Sequence, residues 1–156
     1  MAGDAGGVYV TPFGMNPGEA QYGTLGVPAA GNTPGGREGA AGWSDNAGNF
    51  WLFGGAGVDA DGNGADLNDF WRFNLATKQW TWIGGTSVVD YATDGGFYGS
   101  YGIKGTPSPT NIPGNPDSST TWVDNDGNFW LFAGGGFVGN VIGGCCILND
   151  LWRYEP

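Results

Sequence analysis

Short apolar and aromatic runs alternate along this chain with stretches of Gly, Asn, Asp and Pro, and no window carries the three-to-four-residue spacing of an amphipathic helix. Runs bounded in this way are strand signals. Four fall in the first half: 37–43, made of small residues and closed by Trp43; 49–53, Asn-Phe-Trp-Leu-Phe; 69–75; and 79–83, Gln-Trp-Thr-Trp-Ile. Ser44-Asp45-Asn46-Ala47-Gly48 separates the first two as a turn, and Ala76-Thr77-Lys78 joins the last two. Aromatics on both faces of 49–53 predict a strand covered on two sides, with Gly54-Gly55 ending it. The small side chains of 37–43 suit a place where neighbouring sheets crowd together.

The same pattern is then written again. Gly48-Asn49-Phe50-Trp51-Leu52-Phe53-Gly54-Gly55 returns 79 residues later as Gly127-Asn128-Phe129-Trp130-Leu131-Phe132-Ala133-Gly134. At the same offset Tyr22-Gly23 returns as Tyr101-Gly102, Gly26 as Gly105, Pro28 as Pro107, Asn32 as Asn111, and Trp43 as Trp122. Leu67-Asn68-Asp69-Phe70-Trp71-Arg72-Phe73 returns as Leu148-Asn149-Asp150-Leu151-Trp152-Arg153-Tyr154 at an offset of 81. The two added residues belong in the connection between these motifs, a loop tolerant of insertion.

The repeat divides the chain into a Gly/Pro-rich linker over 1–33, a first unit over 34–83, a second linker over 84–112, and a second unit over 113–156. The first linker contains one further strand candidate, Val8-Tyr9-Val10-Thr11. The second unit stops at Tyr154-Glu155-Pro156, before any counterpart of the fourth strand. The predicted class is all-β, with four-stranded antiparallel sheets of the kind that form propeller blades, the second lacking its last strand.

Composition and charge narrow the function. With 33 Gly and 9 Pro the chain borders on low complexity, but an aromatic content of 15% supplies side chains to bury. Five basic residues against fifteen acidic ones give a net charge of −10, the wrong sign for a nucleic-acid groove or an anionic membrane. No apolar run approaches the ~18 residues of a membrane span. The chain has no His, so a Ser-His-Asp triad cannot form within it, and nothing places two acids together outside loops for glycoside hydrolysis. Catalysis is not expected.

Gly54-Gly55 followed by Phe73 and Trp80 resembles a Kelch repeat, with its double glycine and spaced aromatic pair. Pro34-Gly35-Gly36-Arg37, Leu67-Asn68-Asp69-Phe70-Trp71 and Gln79-Trp80-Thr81-Trp82 resemble the bacterial, surface-type Kelch repeats related to the galactose-oxidase propeller. A usual Kelch unit is nearer ~50 residues, and the excess here lies in the 84–112 linker. The second unit departs from the pattern at Pro116, where the first has Arg37, and at Ala133. The resemblance implies an extracellular or cell-surface protein. The copper site of galactose oxidase needs imidazoles, which this chain cannot supply. Ser44-Asp45-Asn46-Ala47-Gly48-Asn49-Phe50-Trp51 also resembles the Asp-box turn of sialidase-type propellers, with Asn46 where Asp is usual; that likeness speaks to fold alone.

Four groups of residues stand out as candidates. Asp59-Ala60-Asp61-Gly62-Asn63-Gly64 has the spacing of the front half of a calcium loop, which Asp66 or Asp69 would complete; its other reading is a metal-free polar hairpin loop. Cys145-Cys146, the chain's two cysteines, form a vicinal disulfide, bridge to another subunit, or stay reduced in the loop before Leu148. The resemblance to exported proteins favours a structural role in an oxidising compartment. Two units fall short of the four to eight blades of a propeller, so further blades of a parent chain, or copies of this one closing a ring or stacking into a filament, are expected to cover the apolar faces. Trp130 and Trp152 would lie on such faces, and Val8, Tyr9 and Val10 would supply a donated strand. The alternative function is carbohydrate binding, with Phe97, Tyr98 and Tyr101 stacking on sugar rings.

Overall fold

The computed structural model describes residues 20–89, 99–115, 118–137 and 145–156. They form two antiparallel sheets, and no α-helix occurs among them. The first sheet contains β1 (Arg37–Glu38), β2 (Ala41–Ser44), β3 (Phe50–Val58), β4 (Gly64–Asn74) and β5 (Gln79–Gly84). Both β1 and β2 pair with one edge of β3, and β4 and β5 follow in order on the other side. The second sheet runs β6 (Thr120–Val123), β7 (Phe129–Phe137), β8 (Cys145–Tyr154). The two sheets pack side by side and do not close a ring. The strand candidate at Val8, Tyr9, Val10 and Thr11 lies outside the described residues.

The repeat is visible in the register. Trp43 pairs with Trp51 as Trp122 pairs with Trp130, and Leu52 pairs with Trp71 as Leu131 pairs with Trp152. Three boundaries differ from the sequence expectation. The strand expected over 37–43 is broken into β1 and β2, and β3 continues through Gly54-Gly55 to Val58. Both differences have one cause. Gly54 and Gly55 take φ of 63° and 92°, and the register with β4 shifts between Phe53 and Gly55. A Cβ on Gly55 would lie 2.5 Å from the Glu38 carbonyl oxygen and 2.8 Å from the Ala40 nitrogen. The double glycine therefore makes a β-bulge against the gap between β1 and β2 and does not stop the strand.

The third difference is that β4 opens at Gly64, upstream of the expected start at 69, so the β3–β4 turn covers only 59–63. In the second unit β7 ends at Phe137 and β8 opens at Cys145. The two extra residues of the second unit therefore fall between these two strands. Cys145 and Cys146 are in strand β8, opposite Phe137 and Gly136, and not in a loop.

Alternate residues of a strand point to opposite faces. Trp43, Trp51, Phe53 and Phe70 share the front face of the first sheet, and Phe50, Leu52, Trp71 and Phe73 share its back. The front of the first sheet packs on the back of the second. Trp43 stacks on Phe129 at 5.6 Å and 10°, Trp51 meets Tyr154 at 5.8 Å, and Phe70 meets Tyr154 edge-on at 4.8 Å. Ala41, Phe53 and Leu131 are buried in this layer with Phe70 and Trp152 against them. Trp43 Nε1 donates to the Trp130 carbonyl at 3.0 Å, and Thr121 Oγ1 to that of Gly42 at 3.2 Å.

The stretch over 20–33 is more than a connection. It folds back through a Gln21–Thr33 bridge and lies along the free edge of β5, with Ala29 bridged to Trp80 and Gly26 N donating to the Trp82 carbonyl at 2.8 Å. Its Ala20 and Tyr22 form a second core with Trp71, joined by Leu52, Trp80 and Trp82. The order across the first unit is thus β3, β4, β5, linker.

Candidate functional site

Asp69 is the polar centre of the first unit. It is fully buried on β4, two residues before Trp71 and on the same side of the strand. Tyr22 Oη donates to it at 2.6 Å and Trp71 Nε1 at 2.7 Å. Arg37 Nη1 and Nη2 donate to its two oxygens at 2.5 and 2.8 Å, and the same guanidinium donates to the Gly35 and Gly54 carbonyls. A carboxylate so completely engaged ties three segments together. Burial, and next the Asp69 charge, push the Tyr22 hydroxyl far above the ordinary tyrosine range.

The second unit rebuilds this centre without its cation. Tyr101 Oη donates to Asp150 at 2.6 Å and Trp152 Nε1 at 2.7 Å. Burial and the Asp150 carboxylate raise the Tyr101 hydroxyl in turn. The position matching Arg37 is Pro116, and Asp150 Oδ1 is buried with no donor among the described residues. Sequence reasoning missed this centre. The signal was present in the joint recurrence of Tyr22, Asp69 and Trp71 as Tyr101, Asp150 and Trp152.

The residues proposed for calcium do not converge. Asp59 is fully buried, and its carboxylate accepts from Asp61 N, Asn63 N, Asn63 Nδ2 and Val89 N. Asp69 is held by Arg37, Asp61 and Asn63 are exposed, and Asp66 is half-buried. No group of three or more acidic or cysteine side chains placed to hold a metal occurs among the described residues. The loop has a simpler description. Asp45-x-x-Gly48-Asn49, Asp59-x-x-Gly62-Asn63 and Asp124-x-x-Gly127-Asn128 are one turn used three times. In each, the Asp N donates to the Asn carbonyl, the Gly N donates to the Asp carbonyl, and the carboxylate caps the turn.

In two of the three an indole completes the cap: Trp51 Nε1 donates to Asp45 and Trp130 Nε1 to Asp124, both at 2.8 Å. The Trp130 indole and the Asn128 amide hold Asp124 down at a pKa of about 2. Desolvation works to raise Asp45, but the donors from Asn49 and Trp51 outweigh it and the net shift is downward.

The front of the second sheet is an exposed apolar face. Phe53 is 6% exposed, whereas its repeat equivalent Phe132 is 42% exposed; Trp122 and Leu151 on the same face are 41% and 53% exposed. Trp130 also belongs to this face, stacked on Trp122 at 5.8 Å. At the other end, Phe50 on the back of the first sheet is 46% exposed and its equivalent Phe129 only 1%, while Trp71 on the same back face is buried under Tyr22. Trp152, also proposed for association, lies inside the layer between the sheets. Tyr101, proposed for sugar stacking, has its ring 5.1 Å from Trp152 and its hydroxyl on Asp150. Phe97, Tyr98, Val8, Tyr9 and Val10 lie outside the described residues. Compared with known proteins, the sequence matches no family model and no curated relative.

Proposed function

We propose that the chain is a non-catalytic, Kelch-type interaction module of the cell surface or extracellular space, which joins further copies of itself head to tail by stacking sheet on sheet. The observation that carries this reading is the bare front of the second sheet. Within the chain, the front of the first sheet is covered by the back of the second, whereas Trp122, Phe132 and Leu151 on the front of the second stay exposed, as does Phe50 on the back of the first. Trp122, Phe132 and Leu151 are the repeat equivalents of Trp43, Phe53 and Phe70 on the face already covered inside the molecule.

The energetics favour covering them. At roughly 200 Å² per large side chain, the exposed fractions of Trp122, Phe132 and Leu151 come to about 250 Å², or about 6 kcal/mol at ~25 cal/mol/Å² before the cost of association. Phe50 adds to this from the opposite face. Contacts that use two different surfaces are heterologous, so they close into rings when the rotation allows and otherwise extend as filaments.

Sedimentation of the wild type against Leu151→Asp tests the reading. The variant should fall to the monomer, while Ile103→Asp, at a still more exposed apolar site on the second linker, should leave assembly unchanged. Loss of assembly in both, or in neither, would remove the front face from the account.

A further inference from the structure

The two units treat one repeated arginine differently. Arg72 lies over the Trp51 ring at 5.7 Å, and its counterpart Arg153 lies over the Trp130 ring at 5.9 Å. Arg153 then finds an acid two residues on, its Nη2 donating to Glu155 at 2.6 Å. In the first unit that position is Asn74, whose Oδ1 accepts from Ala76 N and Thr77 N and so caps the turn between β4 and β5. Among the described residues Arg72 therefore has no carboxylate partner, and its Nε is buried without an acceptor. The difference is internal to the repeat: an amide stands where the second unit has an acid.

Arg72 lines a cleft of about 510 Å³ on the seam between the two sheets, within the roughly 300–1,000 Å³ of small-molecule sites. One wall is the turn after β2, with Asn46, and the other is the turn after β6, with Asp126. Both of these residues are exposed. Two further acids at the cleft are already engaged, Asp45 by Ala47 N, Asn49 and Trp51, and Glu155 by Arg153. Tyr154 lines the cleft as well and is 39% exposed. Burial raises its hydroxyl above the ordinary tyrosine range, while the Arg72 charge acts in the opposite direction, which marks the two groups as neighbours.

We infer that this cleft binds an acidic sugar, a uronate whose carboxylate pairs with the Arg72 guanidinium and whose hydroxyls meet Asn46, Asp126 and the Tyr154 hydroxyl. A guanidinium and a carboxylate match in charge and in planar geometry, and Arg72 is already seated on an indole, so little side-chain freedom is lost on binding. The sugar gives Arg72 the acid that Glu155 gives Arg153. Asp126 works for the hydroxyls and against a bare anion, because an ionised carboxylate only accepts hydrogen bonds. With a net charge of −10 the protein repels anions at long range, so the affinity rests on these local contacts. The site is separate from Trp122, Phe132 and Leu151 on the stacking face, since the cleft lies within one chain.

The test is titration of the wild-type chain with sodium glucuronate, glucose and sodium acetate in turn, followed by the NMR signal of the Arg72 Nε–H group. Glucuronate should move that signal saturably, and glucose and acetate should each bind at least roughly tenfold more weakly. Arg72→Gln, checked for its fold by circular dichroism, should lose glucuronate binding by a similar factor. The comparison of three ligands uses the wild type alone and stands whether or not the variant folds. No saturable shift with glucuronate, glucose or acetate binding as tightly as glucuronate, or a folded Arg72→Gln that keeps the wild-type affinity would each overturn the assignment.

Discussion

Replacing Arg37 by Leu should be the most damaging single change outside the aromatic core. The Arg37 and Asp69 side chains are both almost wholly shielded from water, and the guanidinium provides two of the four hydrogen bonds that Asp69 receives. Leucine would fill part of the space but leave a buried carboxylate with only the Tyr22 and Trp71 donors. It would also orphan the Gly35 and Gly54 carbonyls. Breaking one side of a buried pair costs about 3–5 kcal/mol, a large share of the roughly 5–15 kcal/mol that stabilises a typical domain. Urea denaturation followed by tryptophan fluorescence reads the loss. Adding Asp69→Asn to Arg37→Leu removes the stranded charge and should recover part of it. A loss below about 1 kcal/mol, the range of exposed ion pairs, would refute the view that this pair is a buried structural tie.

Three further outcomes follow from the geometry. Gly55→Ala should destabilise by at least about 2 kcal/mol, because a side chain is disfavoured at φ 92° and its Cβ would sit 2.5 Å from Glu38 O; denaturation at the wild-type midpoint would contradict the bulge. Asp124 should titrate at about pH 2, so its contribution is intact above about pH 4 and is lost as pH falls toward 2. Trp130→Phe removes the largest cause and should raise that midpoint, as NMR of the carboxyl carbon would show; an unmoved midpoint would contradict the assignment. At the alkaline end Tyr22 and Tyr101 ionise far less readily folded than unfolded, so stability should hold below about pH 10 and fall as pH rises past it. Ultraviolet absorbance showing both hydroxyls ionising near pH 10 in a folded protein would contradict this.

The strands were legible because their residues carry local signals: Asn-Phe-Trp-Leu-Phe and Gln-Trp-Thr-Trp-Ile are β-forming runs between turn residues, and the repeat fixed their pairing twice over. Gly54-Gly55 misled because a glycine pair marks a stop and a bulge equally well in one dimension. Only the approach of Glu38 and Ala40 distinguishes them. The calcium-like spacing was equally ambiguous in one dimension, since one carboxylate turned inward onto backbone N–H groups and three converging on a cation share the same residues. The Asp69 centre was hidden because its members lie 32 and 47 residues from Asp69. The common fold of the two linkers was hidden because Gly, Pro and Asn in 99–112 read as connection.

The head-to-tail claim is tested most directly by mixing two disabled copies. Phe132→Asp spoils the front of the second sheet and leaves the back of the first intact, whereas Phe50→Asp does the reverse. Light scattering after size exclusion should find each variant alone at the 16.1 kDa of one chain, and the equimolar mixture at twice that mass and no larger. A mixture that stays monomeric, or either variant assembling by itself, would contradict the stacking of front on back.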